Sequence, residues 1–306
     1  MEEIKQGIVV SSDGGLYEVY IGQEERISCK PRGKFRHKSM RLLVGDRVNV
    51  GFDEQNNPVI EEILERKSLL IRPPLANLNL LFIVVSVANP DPIFENVDKL
   101  TAIAEHNGIQ PVIVITKSDL DSEKAKEIAR VYTSTGYEVF VAGTTEEEGK
   151  ALLTAALNER YSGSIAAFAG ASGGGKSTLL NGLFSSLSLK TGQVSEKIGR
   201  GKHTTRSVNL FPLKELLGKG EGFLADTPGF SMLDFENFNF FKLEDLPHNF
   251  PEFERQLGCC KYTKCTHRKE DGCAILKQVE EGTIARSRHN SYCTLYELLK
   301  NKHDWD

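Results

Sequence analysis

The 306-residue sequence lacks any long apolar run: its longest apolar stretch, Leu80–Ala88, spans nine residues and is interrupted by Ser86. A bilayer-spanning helix needs about 20, so membrane insertion by a helix is excluded. Glu2, Glu3 and Lys5 precede no apolar segment of signal-peptide length, and a cytoplasmic protein is expected. An excess of positive charge is also absent. Lys plus Arg number 38 against 42 Asp plus Glu, a net charge of −4. That excludes a uniformly basic nucleic-acid coat but leaves room for a local basic patch. No internal repeat and no long low-complexity segment are present, which argues against a solenoid. Cysteine is scarce, six in all, yet four fall between Cys259 and Cys273 beside His267. Without a secretory context such clustering points to metal rather than to disulfides. What is plentiful is ordinary globular material. Apolar residues make up 40% and charged residues 26%, which excludes wholesale disorder. At roughly 100–200 residues per domain, two or three domains are expected.

The first 70 positions read as short strands: Gly7–Val10, Tyr17–Ile21, Glu25–Cys29 and Arg47–Phe52, separated by turn signals at Asp13-Gly14-Gly15 and Gln55-Asn56-Asn57-Pro58. Five or so short strands in that length predict a small barrel of the oligonucleotide-binding (OB-fold) kind. From Arg26 to Arg47, both included, stand eight Lys or Arg residues and one acidic residue, Asp46. Phe35 and His37 interleave with Lys34, Arg36 and Lys38, so phosphate neutralisation and base stacking are both available to an RNA-binding loop. Arg72-Pro73-Pro74 marks a boundary. From Leu80 onward, apolar strands at Leu80–Val87, Pro111–Ile115, Tyr137–Val141, Ile165–Ala169, Val208–Leu213 and Gly222–Ala225 alternate with helical spacing at Val97–Asn107, 122–135, 146–160 and Lys176–Ser186. This alternation predicts an α/β sheet covered on both faces. Phe230–Phe253 carries seven Phe, and Ala274–Lys302 reads as mainly helical. The expected domains are a barrel over 1–70, an α/β domain over 71–233 and a C-terminal domain over 234–306.

Gly170-Ala171-Ser172-Gly173-Gly174-Gly175-Lys176-Ser177 fits GxxxxGKS, after a predicted strand and at the opening of a predicted helix. Glycines let consecutive backbone N–H groups turn onto phosphate oxygens, and the helix N-terminus adds positive potential. Lys176 brings an ammonium to the β- and γ-phosphates. Ser177 offers a hydroxyl to magnesium, which prefers oxygen ligands, and Thr178 stands next to it in the nucleotide-binding set.

Asp226-Thr227-Pro228-Gly229 follows the strand Gly222–Ala225. Asp226 at the strand end can reach magnesium through water, and the Gly229 N–H can sense a γ-phosphate. Between this segment and the phosphate loop lies Gly199-Arg200-Gly201-Lys202-His203-Thr204-Thr205-Arg206, in which Thr204 or Thr205 can complete magnesium coordination. Thr116-Lys117-Ser118-Asp119 follows the strand Pro111–Ile115. The Asp119 carboxylate can accept from both N1–H and the exocyclic amine of guanine, a pair that adenine does not offer. The Lys117 stem can cover the base plane.

These four segments occur in the order of circularly permuted GTPases. With a barrel before them and a Cys/His cluster after, the chain resembles the RsgA (YjeQ/YloQ-type) small-subunit-dependent GTPases over almost its whole length. Val44-Gly45-Asp46-Arg47-Val48, Arg72-Pro73, Asp226–Phe230 and the cysteine spacing match as well. The resemblance implies a GTPase that hydrolyses GTP to GDP and phosphate, stimulated by the small ribosomal subunit during late subunit maturation. It also implies a barrel and a zinc domain that contact rRNA. A monomer is expected. The family usually has Asn where Thr116 stands. Its guanine-side Ser-Ala aligns with Gly143-Thr144, where only backbone N–H is needed. Phe230 follows DTPG, where many GTPases place a water-orienting Gln, and the resemblance gives His203 the task of positioning the water.

Cys260-x4-Cys265-x-His267-x5-Cys273 offers three thiolates and one imidazole, suited to a closed, structural, tetrahedral zinc site. Cys259 adjoins Cys260 and could replace it as ligand; the family spacing favours Cys260. Cys29 and Cys293 read as ordinary buried or half-buried thiols. Ala285–Tyr292 reads as an RNA-contacting or solvated basic helix. Two rival functions fit parts of the sequence: a non-ribosomal P-loop kinase or other NTPase without guanine preference, and an RNA-binding nucleotide switch with negligible hydrolysis.

Overall fold

The computed structural model describes residues 4–22, 25–32, 41–143, 151, 154–183, 208–227 and 240–301. Strands β1 (Lys5–Asp13), β2 (Leu16–Tyr20), β3 (Arg26–Pro31), β4 (Arg47–Phe52) and β5 (Pro58–Ile63) close a barrel in the order β1-β2-β3-β5-β4. The β3–β5 pair is parallel and the others are antiparallel. This is the five-stranded arrangement expected of an oligonucleotide-binding barrel. Alternation along the strands turns Val9, Val19, Cys29, Val48, Val50 and Ile60 inward, each fully buried. Each of the four predicted strands overlaps an observed one. The fifth begins at Pro58, directly behind the predicted turn, where a strand's first residue needs no N–H.

The Val44–Val48 string has a structural reason. Asp46 is fully buried and accepts from the Leu43 N–H (2.8 Å) and from Arg66 Nε (2.7 Å) and Nη2 (2.8 Å). Gly45 has φ +88°, and a Cβ there would lie 2.0 Å from the Ala76 carbonyl oxygen. A hairpin of β6 (Leu69–Leu70) and β7 (Leu75–Ala76) surrounds the Arg72-Pro73-Pro74 break.

The chain continues through β8 (Leu80–Ser86), α1 (Phe94–His106), β9 (Gln110–Thr116), α2 (Ser122–Ser134), β10 (Glu138–Val141), a π-helical turn at Ala156–Arg160, β11 (Ile165–Gly170), α3 (Lys176–Leu183), β12 (Asn209–Pro212), α4 (Leu213–Leu217) and β13 (Phe223–Asp226). The sheet order is β10-β9-β8-β11-β13-β12. β10 and β9 are parallel, as are β11 and β13, while β12 is antiparallel to β13. β8 and β11 are buried along their whole length, as central parallel strands require. Two 3-10 segments (Leu243–Asn249 and Pro251–Gln256), α5 (Ala274–Glu280) and α6 (Arg286–Lys300) follow. The chain divides into two compact units. One comprises Met1–Leu80, Ala155–Ala167 and Phe184–Phe230, and the other Leu81–Thr154, Phe168–Leu183 and Ser231–Asp306.

Three local expectations differ from the structure. The strand predicted to Leu213 ends at Pro212, and Leu213 instead opens α4, which closes on Gly218 at φ +71°. Of the helix predicted over 146–160, residues 146–150 and 152–153 lie outside the described set, and Ala156–Arg160 winds as a π-turn. The segment Ala285–Tyr292 is not solvated along its length. Arg288, His289, Ser291 and Tyr292 are buried, whereas Arg286 and Asn290 are exposed. Arg288 is fully buried because two elements, α1 and the Pro251–Gln256 segment, supply its partners. Its Nη1 donates to Asp98 Oδ1 (2.6 Å) and Thr101 Oγ1 (3.0 Å) on α1, and its Nε donates to Glu252 Oε1 (2.7 Å). The Phe-rich stretch is core where it is described, with Phe250 and Phe253 packing on the Tyr292 ring at 5.4 and 4.9 Å.

Candidate functional site

The phosphate loop joins β11 to α3. Its first residue, Gly170, has φ +137°, and a Cβ there would meet the Val84 carbonyl oxygen of β8 at 2.3 Å, so only glycine fits. Gly173 and Gly175 also lie in the left-handed region, at φ +75° and +93°. Gly174 N–H bonds Ala171 O (3.2 Å), and Leu179 N–H bonds Gly175 O (2.8 Å) as α3 begins. Lys176 Nζ donates to Gly170 O (2.6 Å) and Ala171 O (2.9 Å), which holds the ammonium over the loop. Half-burial lowers its pKa from the usual lysine value. Ser172, Ser177 and Thr178 are exposed.

The Thr116–Asp119 segment reaches this loop although it precedes it in the chain. Thr116 closes β9, is buried, and donates its hydroxyl to Gly174 O (2.7 Å). Lys117 Nζ donates to Gly173 O (3.0 Å) and to Asn89 O. The amide of the family's usual Asn is therefore not needed for the loop contact, because the threonine hydroxyl makes one. Lys117 has φ +59°, a conformation of about 1–3 kcal/mol strain for a non-glycine residue, and Leu120 N–H bonds Lys117 O (2.9 Å) to complete the turn. Ser118 N–H donates to Ala142 O (3.2 Å), and Ala142 N–H donates to Ile115 O (2.7 Å). These bonds bring the Ala142–Gly143 segment beside the motif. Asp119 is exposed in the turn, and the next acidic residue, Asp121, caps α2 through Lys124 N–H (2.9 Å). The structure thus joins Thr116 and Lys117 to the loop at Gly174 and Gly173, and Ser118 to Ala142.

One contributor was missed in the sequence. Asn89, after β8, has φ +49° and gives its carbonyl to Lys117, and the adjacent Pro90 accepts from Ser86 Oγ (2.8 Å). The Asn-Pro pair is a turn signal that could have marked it. Asp226 ends β13 in the first unit, and burial raises its pKa. Thr144, His203, Thr204, Thr205, Gly229 and Phe230, along with Lys34, Phe35, Arg36, His37 and Lys38, lie outside the described residues. Of the basic residues flanking that last group, Arg26 is paired with Glu215 (2.5 Å) and Arg32 with Glu61 (2.7 Å).

The second constellation is Cys260, Cys265, His267 and Cys273, whose ligand atoms all lie within 4.8 Å of one another. His267 Nδ1 is 3.5 Å from Cys260 Sγ and 3.6 Å from Cys273 Sγ. Three sulfurs and one ring nitrogen converging at this spacing fit a tetrahedral zinc ion. Cys259 is exposed and is not part of the group. Ala274 N–H donates to Cys260 Sγ (3.3 Å). Glu270 accepts from the N–H groups of Thr266 (2.9 Å) and Arg268 (3.0 Å), which tie the loop together. Burial lowers the His267 pKa, favouring the neutral ring that a metal needs.

Comparison with known proteins gives one family. A family model described as RsgA GTPase matches residues 63–236, and one described as RsgA N-terminal domain matches residues 6–60. Small ribosomal subunit biogenesis GTPase RsgA of Clostridium botulinum strain Hall is 38% identical over 299 residues, covering 97% of this chain and 98% of that protein. The protein of the same name from strain Eklund 17B is 40% identical, covering 98% and 100%. Among solved structures, YjeQ from Thermotoga maritima superposes with a TM-score of 0.81 at 33% identity, covering 98% of this chain and 100% of that one. YloQ, described as a circularly permuted GTPase, superposes with a TM-score of 0.77 at 29% identity, covering 98% and 96%.

Proposed function

Because the chain belongs to the RsgA GTPase family, we propose that it binds GTP and hydrolyses it to GDP and phosphate in the biogenesis of the small ribosomal subunit. The observation that carries this reading is the pair of bonds from Thr116 and Lys117 to the carbonyls of Gly174 and Gly173. They join a guanine-reading segment to a phosphate loop in the inverted chain order of a permuted GTPase. Asp119 reads the base edge, backbone N–H groups of Gly143-Thr144 add to the guanine site, and Gly170–Gly175, Lys176 and Thr178 hold the phosphates. Ser177 would hold magnesium together with Thr204 or Thr205, and Asp226 would act through water. Bound magnesium supplies charge to the phosphate oxygens. Lys176 adds fixed positive charge where negative charge builds up on the transferred group. His203 orients the water, and Gly229 senses the γ-phosphate.

Cys260, Cys265, His267 and Cys273 hold one structural zinc. The four-ligand set leaves no open position for catalysis. The barrel over 1–70 precedes the GTPase domain over 71–233 in the chain, the zinc domain over 234–306 follows it, and both contact rRNA. The protein acts as a cytoplasmic monomer, and among the described residues no helix is long and apolar enough to cross a membrane.

The test is GTP turnover with and without purified small subunits at subsaturating GTP. Subunits raise turnover well above the slow intrinsic rate if RNA completes the site; equal rates remove the ribosome from the reading. Base recognition has its own test. Asp119→Asn exchanges an acceptor for a donor opposite guanine N1–H, so GTP affinity falls by roughly 10²-fold or more while XTP becomes the better ligand. Competition binding with GTP, XTP and ATP reads this out. Unchanged GTP affinity in the variant, or equal binding of ATP by the wild type, overturns the assignment of the base site.

A further inference from the structure

His267 is the single metal-binding candidate of the cluster in the left-handed region, at φ +59°. A non-glycine residue remains there only where its surroundings hold it. Its φ is set by the orientation of the Thr266–His267 peptide plane and its ψ by that of the His267–Arg268 plane. Each plane is pinned by one side chain of α6. Tyr292 donates its hydroxyl to Thr266 O (3.0 Å), and His289 Nε2–H donates to His267 O (2.7 Å). Both side chains are buried, so neither bond competes with water. His289 and Tyr292 are three positions apart and therefore share one face of the helix. With Nε2 as donor, the remaining ring nitrogen of His289 is an acceptor, and Cys293 Sγ lies 3.9 Å from it. Two rings strengthen the arrangement. Phe253 packs on Tyr292 at 4.9 Å and lies 6.5 Å from both His267 and His289.

We propose that His289 and Tyr292 are positioning residues for the metal centre: together they lock both backbone planes around His267 and so aim its Nδ1 at the three sulfurs. Neither residue is a ligand, and neither belongs to the Cys/His spacing that marks the site in the sequence. The inference rests on the zinc reading above and assigns α6 a task within it, that of holding the ligand loop in its binding geometry before the ion arrives. An outer partner that orients a ligand typically changes metal affinity by 10–100-fold.

The experiment uses the full chain with Zn²⁺ titrated against a chromogenic chelator and Co²⁺ as a spectroscopic substitute. Four variants are compared with the wild type: Tyr292→Phe, His289→Ala, His289→Gln and His289→Asn. Tyr292→Phe removes only the hydroxyl. Gln retains a side-chain N–H donor, whereas the Asn side chain is shorter. Tyr292→Phe and His289→Ala are expected to release Zn²⁺ at a roughly 10–100-fold lower chelator concentration, with an altered visible spectrum of the Co²⁺ form and partial rescue by His289→Gln. Should His289→Ala unfold, Tyr292→Phe and His289→Asn carry the comparison. Wild-type Zn²⁺ affinity and an unchanged Co²⁺ spectrum in the folded variants overturn the positioning role and leave the zinc reading intact. A wild-type chain that takes up neither ion overturns the zinc reading itself, and the inference with it.

Discussion

Replacing Lys176 by Ala is expected to lower GTP turnover by at least 10²–10³-fold, the usual effect of removing one fixed positive group from a site where charge develops. The ammonium is already gathered over the loop by Gly170 O (2.6 Å) and Ala171 O (2.9 Å), so little reorganisation is needed to engage a phosphate. Its partial burial lowers the pKa from the usual lysine value, because desolvation disfavours the charged form. In phosphoryl transfer the protein contributes mainly positioning and charge, so no other group in the loop substitutes for it. Single-turnover hydrolysis at saturating GTP, with and without small subunits, separates lost chemistry from lost affinity. Wild-type turnover in a folded Lys176→Ala protein would place the phosphates elsewhere.

The largest effect on stability is expected at Arg288. Arg288→Met keeps much of the volume but strands Asp98 and Glu252 without their cation. Breaking a buried pair in this way typically destabilises by about 3–5 kcal/mol. Arg288 and Asp98 are essentially without exposed side-chain surface, so solvent screening offers no relief. The double variant Asp98→Asn, Arg288→Met is expected to recover part of the loss, because both buried charges of that pair are then gone. The pH dependence has a definite sign. Burial raises the Asp98 pKa, and the Arg288 charge opposes that rise. Without Arg288, the folded protein holds the Asp98 proton more tightly than the unfolded chain does. The stability associated with that proton is fully present below the ordinary Asp value near 4 and is lost as pH rises through the folded value. Urea denaturation at pH 5 and pH 8 tests this: the deficit of Arg288→Met relative to wild type is larger at pH 8. An equal, small deficit at both values would mean that water reaches the pair.

Much of the site is legible along the chain because its parts are local. The phosphate loop needs glycines at backbone positions that a Cβ would obstruct, and Gly170 against Val84 shows that constraint directly. The Cys260–Cys273 spacing is likewise local, and it singles out the same four residues that converge in space. Barrel strands are legible from period-two alternation, although their ends shift where turns decide them, as at Pro58. Asn89 shows in the sequence only as part of an Asn-Pro turn, because the task of a backbone carbonyl leaves no trace in residue type. The segment around Arg288 was misread because a cationic helix looks the same in sequence whether solvent or carboxylates face it.

The sequence by itself determined which groups are available: the glycines and Lys176 of the GxxxxGKS loop, the carboxylate at Asp119, the three thiols and the imidazole, and the alternation that builds barrel and sheet. These depend on residue type and short-range geometry, which neighbours in the chain specify. Tertiary structure alone decided that Thr116 meets Gly174 across 58 positions and that Arg288 meets Asp98 across 190. It also decided that one helix holds both planes around His267. Such contacts follow from how strands and helices pack and which polar groups they jointly exclude from water, and no local stretch of residues encodes that.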